Sequence, residues 1–503
     1  MPHALHTPQA RAGVRGRGRF AVADSAPSRS GETLERRTKI VATLGPATEA
    51  PGVLDALVDA GLDCARLNCS HGTAADLLRR AGDVRAAAAR AGRPLGLLFD
   101  LQGPKLRLAA DTVERRVLPG ERIVLTGGEP SSAPDRAVVD FRGFARLVSE
   151  RSEIVIGDGV PRLAVERTDG GEVFARVLSE GRLAPSKGVN VTYARPELPA
   201  ITDKDVADIE LAAQAGADFV ALSFVRDGAD IDDLRGRLLA HDLRAHVIAK
   251  IETVEAYDNL DEILAAADGV MIARGDYGVT AGLARVPLMQ RDTIRRAIRA
   301  GKLVITATQM LESMIGAPEP TRAEVADVAN AVLDGTSAVM LSAETSVGAF
   351  PVPAVRAMSV IAATAEDSPE VRDRTRRREV GADSAEAAVM HAAAQLADEL
   401  DAAAIIVPTA TGGSARACSR YRPRQPIIAL ADEATVAEQL TLEWGVYPIV
   451  ADVAASLDEL VDAALHLAGD FAGLRSGDRV VLTTGQQPGA PGATNMIIVR
   501  ELP

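Results

Sequence analysis

Eight times between Thr38 and Glu366, a short apolar run rich in β-branched residues gives way to an amphipathic stretch of helical period. The runs are Lys39–Leu44, Cys64–Cys69, Pro94–Leu101, Ala217–Val225, His246–Glu252, Gly269–Asp276, Leu303–Met310 and Ser337–Glu344; segments such as Ala74–Ala91, Asp203–Ala215, Asp258–Ala267 and Arg322–Leu333 lie between them. The runs lack the alternation of a half-exposed strand, as strands covered on both faces should. Parallel strands need a crossover, and eight strand-then-helix units predict a (β/α)8 barrel.

The rhythm breaks once. Between Gly103 and Leu198 the chain shows strand-like runs (Arg122–Leu125, Ala137–Val139, Glu153–Ile156, Glu172–Val177), glycine turns and little helical period. It reads as a small β-barrel-like domain inserted after the third barrel strand. A charged linker, Glu370–Glu379, then leads to a third segment that alternates helix 384–400, strand 404–408, helix 413–420, strand 426–430, helix 433–444, strand 446–450, helix 456–472 and strands 479–484 and 496–500. That pattern predicts a C-terminal open α/β domain. The expected organisation is a basic N-terminal extension (1–36), a catalytic barrel (37–102 and 199–368), an inserted β lid (103–198) and a C-terminal α/β effector and oligomerisation domain (369–503).

A chain of 503 residues has room for about three domains at roughly 150 residues each. With only 9 Phe, 5 Tyr and 1 Trp, its cores must be aliphatic. The net charge of −13 argues against nucleic acid as the main partner. Cys64, Cys69 and Cys418 make neither a disulfide framework nor a Cys-x-x-Cys zinc site, which fits a reducing cytoplasm. No apolar run approaches the roughly 18 residues of a membrane span. The first 37 residues carry seven arginines against Asp24, Glu32 and Glu35 and lack the apolar segment of a secretory signal; they read as a disordered extension.

In such a barrel, reactive groups stand at the carboxyl ends of the strands. The second strand ends Arg66-Leu67-Asn68-Cys69-Ser70, with Arg66, Asn68 and Ser70 on one face. A buried arginine needs a carboxylate or a bound anion. The fifth ends Lys250-Ile251-Glu252, two charges on an otherwise apolar strand. The sixth, read as ending Arg274-Gly275-Asp276, brings Asp276 beside Glu252, and a divalent cation such as Mg2+ relieves the repulsion of two neighbouring carboxylates. The seventh, read as ending Thr306-Ala307-Thr308-Gln309, offers hydroxyls. Asp100 ends the third, and Arg107 and Lys187 flank the insert on its two sides, suited to a second polyanion. No Walker A motif competes. Such a mouth suits phosphoryl transfer or enolate chemistry on an anionic substrate.

From about Arg37 to the C-terminus the chain resembles the pyruvate kinases. The resemblance rests on Arg37-Thr-Lys-Ile-Val-Ala-Thr-Leu-Gly-Pro-Ala47, Ala65-Arg-Leu-Asn-Cys-Ser-His-Gly72, Asp100-Leu-Gln-Gly-Pro-Lys105, Lys187-Gly-Val-Asn190, Ile248-Ala-Lys-Ile-Glu252, Ala273-Arg-Gly-Asp276, Ile305-Thr-Ala-Thr-Gln-Met-Leu-Glu-Ser-Met314 and Pro320-Thr-Arg-Ala-Glu324. It implies transfer of the phosphoryl group of phosphoenolpyruvate to ADP, giving pyruvate and ATP. It implies Arg66 on the phosphate, Lys250 on the transferring group and enolate oxygen, and Glu252 and Asp276 on Mg2+. The Gly275 and Asp276 backbone would meet the substrate carboxylate, and Thr308 the enolate face. Asn68, Ser70, His71, Arg107 and Lys187 would bind the nucleotide, which brings a second Mg2+. In relatives the positions of Asn68, Ser70, Asp100 and Leu101 bind a monovalent cation. The loop Thr409-Ala-Thr411-Gly412-Gly413-Ser414 resembles the family's effector loop, for a phosphorylated allosteric ligand, and a homotetramer is implied. Hydroxyls and N–H groups at a helix start do suit a phosphate.

Several positions depart from the family pattern. Leu101, Gln102 and Lys105 stand where K+-requiring members carry Thr, Lys and Glu, so the Lys105 ammonium is expected to replace K+. Asp276-Tyr-Gly-Val-Thr-Ala-Gly282 replaces Asp-Leu-Gly-Val-Glu-Ile-Pro, Cys69 replaces Phe, and Ala343 replaces Gly. Two other readings compete. A Mg2+-dependent aldol lyase leaves the insert, Lys187 and Lys250 unexplained; a catalytically weak regulatory paralogue is motivated by the changes around Thr280 but leaves the charged mouth unexplained.

Overall fold

A computed structural model describes residues 36–128, 133–157, 159–192, 199–369, 381–382, 384–451, 456–485 and 494–502. The expected basic extension, apart from Arg36, and the linker 370–379 lie outside these. Arg36 already belongs to the fold: it is buried, pairs with Asp63 at 2.9 Å and donates to the Gly61 carbonyl at 2.7 Å.

Eight parallel strands form a closed barrel: β1 (Lys39–Thr43), β2 (Cys64–Asn68), β3 (Gly96–Asp100), β12 (Phe219–Leu222), β13 (His246–Ile251), β14 (Gly269–Ala273), β15 (Leu303–Ala307) and β16 (Ala338–Leu341), with β4–β11 belonging to the insert. Every barrel strand but β2 and β13 is buried along its whole length, the physical reason the runs show no alternation. Two apolar layers result. Leu67, Leu97, Phe99, Val220 and Ile272 face the surrounding helices, while Val41, Cys64, Leu98, Ala221, Ile248, Met271 and Ile305 form a separate core. These seven occupy the opposite strand faces and fill the barrel interior. Helix starts follow local chemistry: Thr73, Thr202 and Thr321 each close a capping box with an acidic residue three positions on.

Two strand ends differ from the sequence expectation. β14 stops at Ala273, and Arg274-Gly275-Asp276 opens the helix Arg274–Ala281. β15 stops at Ala307, after which Thr308 (φ +66°) and Gln309 (φ +54°) turn the chain left-handed. Both short strands must release the chain at the barrel rim, which an extended continuation would carry past.

The insert holds more strands than the glycine turns suggest. A six-stranded sheet runs β11 (Val189–Val191), β7 (Glu153–Ile156), β8 (Arg162–Asp169), β9 (Glu172–Val177), β5 (Arg122–Gly127), β6 (Arg136–Val139), and β10 (Gly181–Leu183) pairs with β4 (Arg115–Val117). β8 escaped the sequence reading because its second half, Glu166–Asp169, is polar and partly exposed. The segment after Lys105 joins the two sheet edges. Leu108 and Val189 donate to the carbonyls of Lys187 and Leu106, while Ala109 and Asp140 donate to those of Val138 and Arg107. The sheet thereby curls into the barrel-like shape expected, around its own core of Val117, Leu125, Phe144, Ile154 and Val173.

The C-terminal domain is a five-stranded sheet in the order β19 (Val446–Val450), β18 (Ile427–Ala431), β17 (Ala404–Thr409), β20 (Arg479–Thr484), β21 (Met496–Glu501), with only β21 antiparallel. The expected helix 433–444 divides into Ala434–Gln439 and a tighter turn, Leu440–Leu442. That turn pushes Leu442, fully buried, into the interior layer at the amino end of the barrel. The amino end of the barrel is thus plugged.

Candidate active site

Strand period two carries the apolar lining directly into a polar layer. Two residues beyond Val41, Cys64, Leu98, Ala221 and Ile248 stand Thr43, Arg66, Asp100, Ser223 and Lys250. Arg66 Nε donates to Asp100 Oδ2 at 2.7 Å and its Nη1 to Thr43 Oγ1 at 2.8 Å. Lys250 Nζ lies 3.1 Å from both Asp100 Oδ1 and Glu252 Oε1 and donates to Ser223 Oγ at 2.6 Å. Ser223 Oγ in turn donates to the Leu101 carbonyl at 2.7 Å, and the Phe224 N–H donates to Glu252 Oε2 at 2.7 Å.

These charges are buried and must sustain one another. Burial alone would raise the Asp100 carboxyl, but Lys250 and Arg66 outweigh it and hold it below its usual range. Burial would likewise lower Lys250; Asp100 and Glu252 reverse that and keep the ammonium protonated. Glu252 is pushed up by burial and by Asp276, against the pull of Lys250. Asp100 therefore neutralises two cations at once, while Glu252 is an acid that a further cation would ease.

Asp276 reaches the same mouth from the first turn of its helix, where the dipole favours a carboxylate. The Lys105 ammonium lies 3.4 Å from both Asp276 oxygens and 6.0 Å above the Phe224 ring. A Cβ on Gly275 would meet nothing nearer than Thr308 Oγ1 at 3.8 Å, so the peptide there stands open to close approach. Thr308 Oγ1 accepts the Gly275 N–H at 2.9 Å and donates to the Ala307 carbonyl at 2.7 Å. A left-handed, β-branched residue costs about 1–3 kcal/mol and persists only where its surroundings hold it.

A cavity of about 170 Å³ joins these groups, lined by Arg66, Asn68, Ser70, His71, Asp100, Leu101, Gln102, Lys105, Arg107, Ser223, Phe224, Lys250, Glu252, Met271, Ala273, Gly275, Asp276, Thr308 and Met340. The expected barrel-mouth residues meet here except Lys187, which packs its stem against Gly157 of the insert, and Thr306, whose buried hydroxyl donates to Thr336 Oγ1 at 3.0 Å instead. Arg107 lines the cavity and donates to the Ser186 carbonyl at 3.1 Å, tying it to the segment that carries Lys187. Burial and the nearby Arg107, Arg66 and Lys105 push the His71 imidazole below its usual value, so it is neutral at pH 7. Among the described residues no group of three or more His, Cys, Asp and Glu forms a ready-made cage for a metal. A Glu252–Asp276 pair beside an open cavity suits an ion that completes its shell with substrate oxygens.

Thr43, Ser223 and Phe224 were not singled out in the sequence. The signal was available in the same rule that found Lys250: Ser223 follows a buried strand at its carboxyl end. The expected effector loop lies elsewhere, between β17 and the helix Gly413–Arg420, with Gly412 at φ +78°. Its Ser414 Oγ donates to the Glu386 carboxylate at 2.5 Å and contacts Thr494 Oγ1 at 2.9 Å. The Ser414 hydroxyl is thus engaged by an acid of the chain itself.

Comparison with known proteins agrees with this architecture. Residues 35–355 match the family "Pyruvate kinase, barrel domain" and residues 387–500 the family "Pyruvate kinase, alpha/beta domain". The chain is 42% identical over 473 residues to a pyruvate kinase of Geobacillus stearothermophilus, covering 93% of this chain and 80% of that protein. It is 39% identical over 468 residues to one of Sporosarcina psychrophila (92% and 80% covered), and 41% identical over 478 residues to pyruvate kinase 2 of a Synechocystis strain (93% and 79% covered).

Proposed function

The chain belongs to the pyruvate kinase family, and from that premise we propose how its own residues move the phosphoryl group of phosphoenolpyruvate to ADP. A terminal phosphate oxygen of ADP attacks phosphorus, the bond to the enolate oxygen breaks, and ATP and the enolate of pyruvate result. The enolate then takes a proton at its methylene carbon to become pyruvate. Such a loose transfer needs positioning and positive charge more than a covalent nucleophile.

Arg66 holds the phosphate, its guanidinium already fixed by Thr43 and Asp100. Lys250, anchored by Asp100, Glu252 and Ser223, neutralises charge that builds on the transferring group and the enolate oxygen. Gly275 and Asp276 bring their backbone to the substrate carboxylate, and Thr308 orders the water that protonates the enolate. The family uses Mg2+. Glu252 and Asp276 are the residues that would hold it, and there it would supply Lewis-acid charge to the substrate. Arg107, Lys187, Asn68, Ser70 and His71 receive the nucleotide with its own Mg2+, and the insert (103–198) closes as a lid. Lys105 supplies from the chain the charge that relatives take from K+ at Asn68, Ser70, Asp100 and Leu101.

The third domain (369–503) assembles a homotetramer and carries the effector loop Thr409–Ser414. Among the described residues no helix is long and apolar enough to cross a membrane, and with three buried free cysteines we place the enzyme in the cytoplasm.

The observation that carries this reading is the ammonium of Lys250 set between Asp100 and Glu252 in the cavity that also holds Arg66 and Asp276. A lactate-dehydrogenase-coupled assay with phosphoenolpyruvate, ADP and Mg2+ tests it. Pyruvate formation that requires ADP is expected; cleavage of a keto acid instead would favour the aldol lyase, and no turnover the regulatory paralogue.

A further inference from the structure

Arg274 follows β14 directly, and its side chain turns away from the cavity toward the Thr308–Gln309 bend. The residue is 9% exposed, and every edge of its guanidinium is engaged. Nε and Nη2 donate to the Thr308 carbonyl at 3.2 and 2.8 Å, and Nη2 also donates to the Gln309 carbonyl at 3.0 Å. On the other side Nη1 pairs with Asp327 at 2.7 Å and reaches Gln290 Oε1 at 3.5 Å. Asp327 belongs to the helix Arg322–Asp334 and Gln290 to the helix Val286–Arg299.

We propose that Arg274 is a positioning residue for Thr308: its planar fork fixes the left-handed Thr308–Gln309 bend and so aims the Thr308 hydroxyl into the cavity. Two consecutive carbonyls in a left-handed bend turn toward one side, where two donors of a rigid guanidinium meet them. Asp327 and Gln290 hold the fork from behind, so the bend is referenced to two helices rather than to the loop alone. Left unclamped, a β-branched residue returns to negative φ, and its hydroxyl leaves the Gly275 N–H. A lysine keeps the charge but is a single point, unable to reach both carbonyls and Asp327 together. The inference rests on the reading of Thr308 at the enolate face.

The test is steady-state kinetics of Arg274→Lys together with exchange of pyruvate methyl protons with solvent, which reads the enolate step apart from phosphoryl transfer. We expect kcat and the exchange rate to fall about ten- to a hundredfold, the cost of a misplacement near 1 Å, with KM for ADP unchanged. A folded Arg274→Lys enzyme whose kcat and exchange match the unaltered chain overturns the inference, as does a loss confined to KM for ADP. Should that variant not fold, Asp327→Asn carries the test: a smaller fall in both rates is expected, and unchanged rates in a folded Asp327→Asn enzyme overturn it. Failure of the unaltered chain to turn over phosphoenolpyruvate and ADP defeats the family chemistry itself, a different outcome from an active Arg274→Lys enzyme.

Discussion

Asp100 is the residue about which the mouth is organised: one buried carboxylate balances Arg66 and Lys250, so both cations keep their charge away from bulk water. Removing a partner from such a set leaves an unpaired buried charge, at a cost of about 3–5 kcal/mol. Lys105 stands slightly outside this set, on Asp276. Because that ammonium is part of the chain, activity in buffer with K+ replaced by a bulky organic cation should stay within about twofold, the effect of weak screening alone; a loss of tenfold or more would contradict its role. Arg66, Lys250 and Glu252 were legible in the sequence because a charge on an apolar strand has few structural excuses. Thr43 and Ser223 were not, since strand hydroxyls are ordinary. Nor was the partner of Lys105, which lies 171 positions away.

Elements decide where those residues stand. The (β/α)8 order was plain from eight repeated units, but the ends of β14 and β15 were not. Both read as strand until helix and left-handed bend take over at Arg274 and Thr308, where side-chain contacts distant in sequence, such as the Arg274 fork on the Thr308 and Gln309 carbonyls, leave no local signal. At the closed end of the barrel, Leu442→Ala should cost about 2–5 kcal/mol, as a cavity is opened in a filled layer; urea midpoints would show it, and a change below about 1 kcal/mol would mean that layer collapses freely. The same interface buries an acid. Arg85 bridges Asp218 of the barrel at 3.1 Å and Glu438 of the third domain at 3.1 Å. Burial pushes the Asp218 carboxyl up to about 8, Arg85 opposing and Glu438 reinforcing. Unfolded, that acid loses its proton near pH ~3.9, so between those values the folded state binds more protons and stability falls as pH rises. Asp218→Asn should flatten the decline of Tm across about pH 5–8. An unaltered slope would place the titration elsewhere.

The whole molecule joins one open barrel end, a curled insert and a distant loop in the third domain. Hydroxyls at a helix start suit that loop to a phosphate, yet its Ser414 hydroxyl donates to Glu386, a contact between residues 28 apart that no local motif announces. Glu386→Gln should therefore tighten binding of sugar phosphates or nucleotides to the third domain by about tenfold, by removing a competing anion; calorimetry showing no change would mean that the loop takes no phosphate. All of this presupposes that the Lys250 ammonium acts on the reacting phosphate. The most direct measurement is pyruvate formation by Lys250→Met, with circular dichroism confirming that the fold survives. Loss of a positioned charge from a closed site predicts a fall in kcat of about a thousandfold or more. Folded Lys250→Met that retains a substantial fraction of the original turnover would contradict the account.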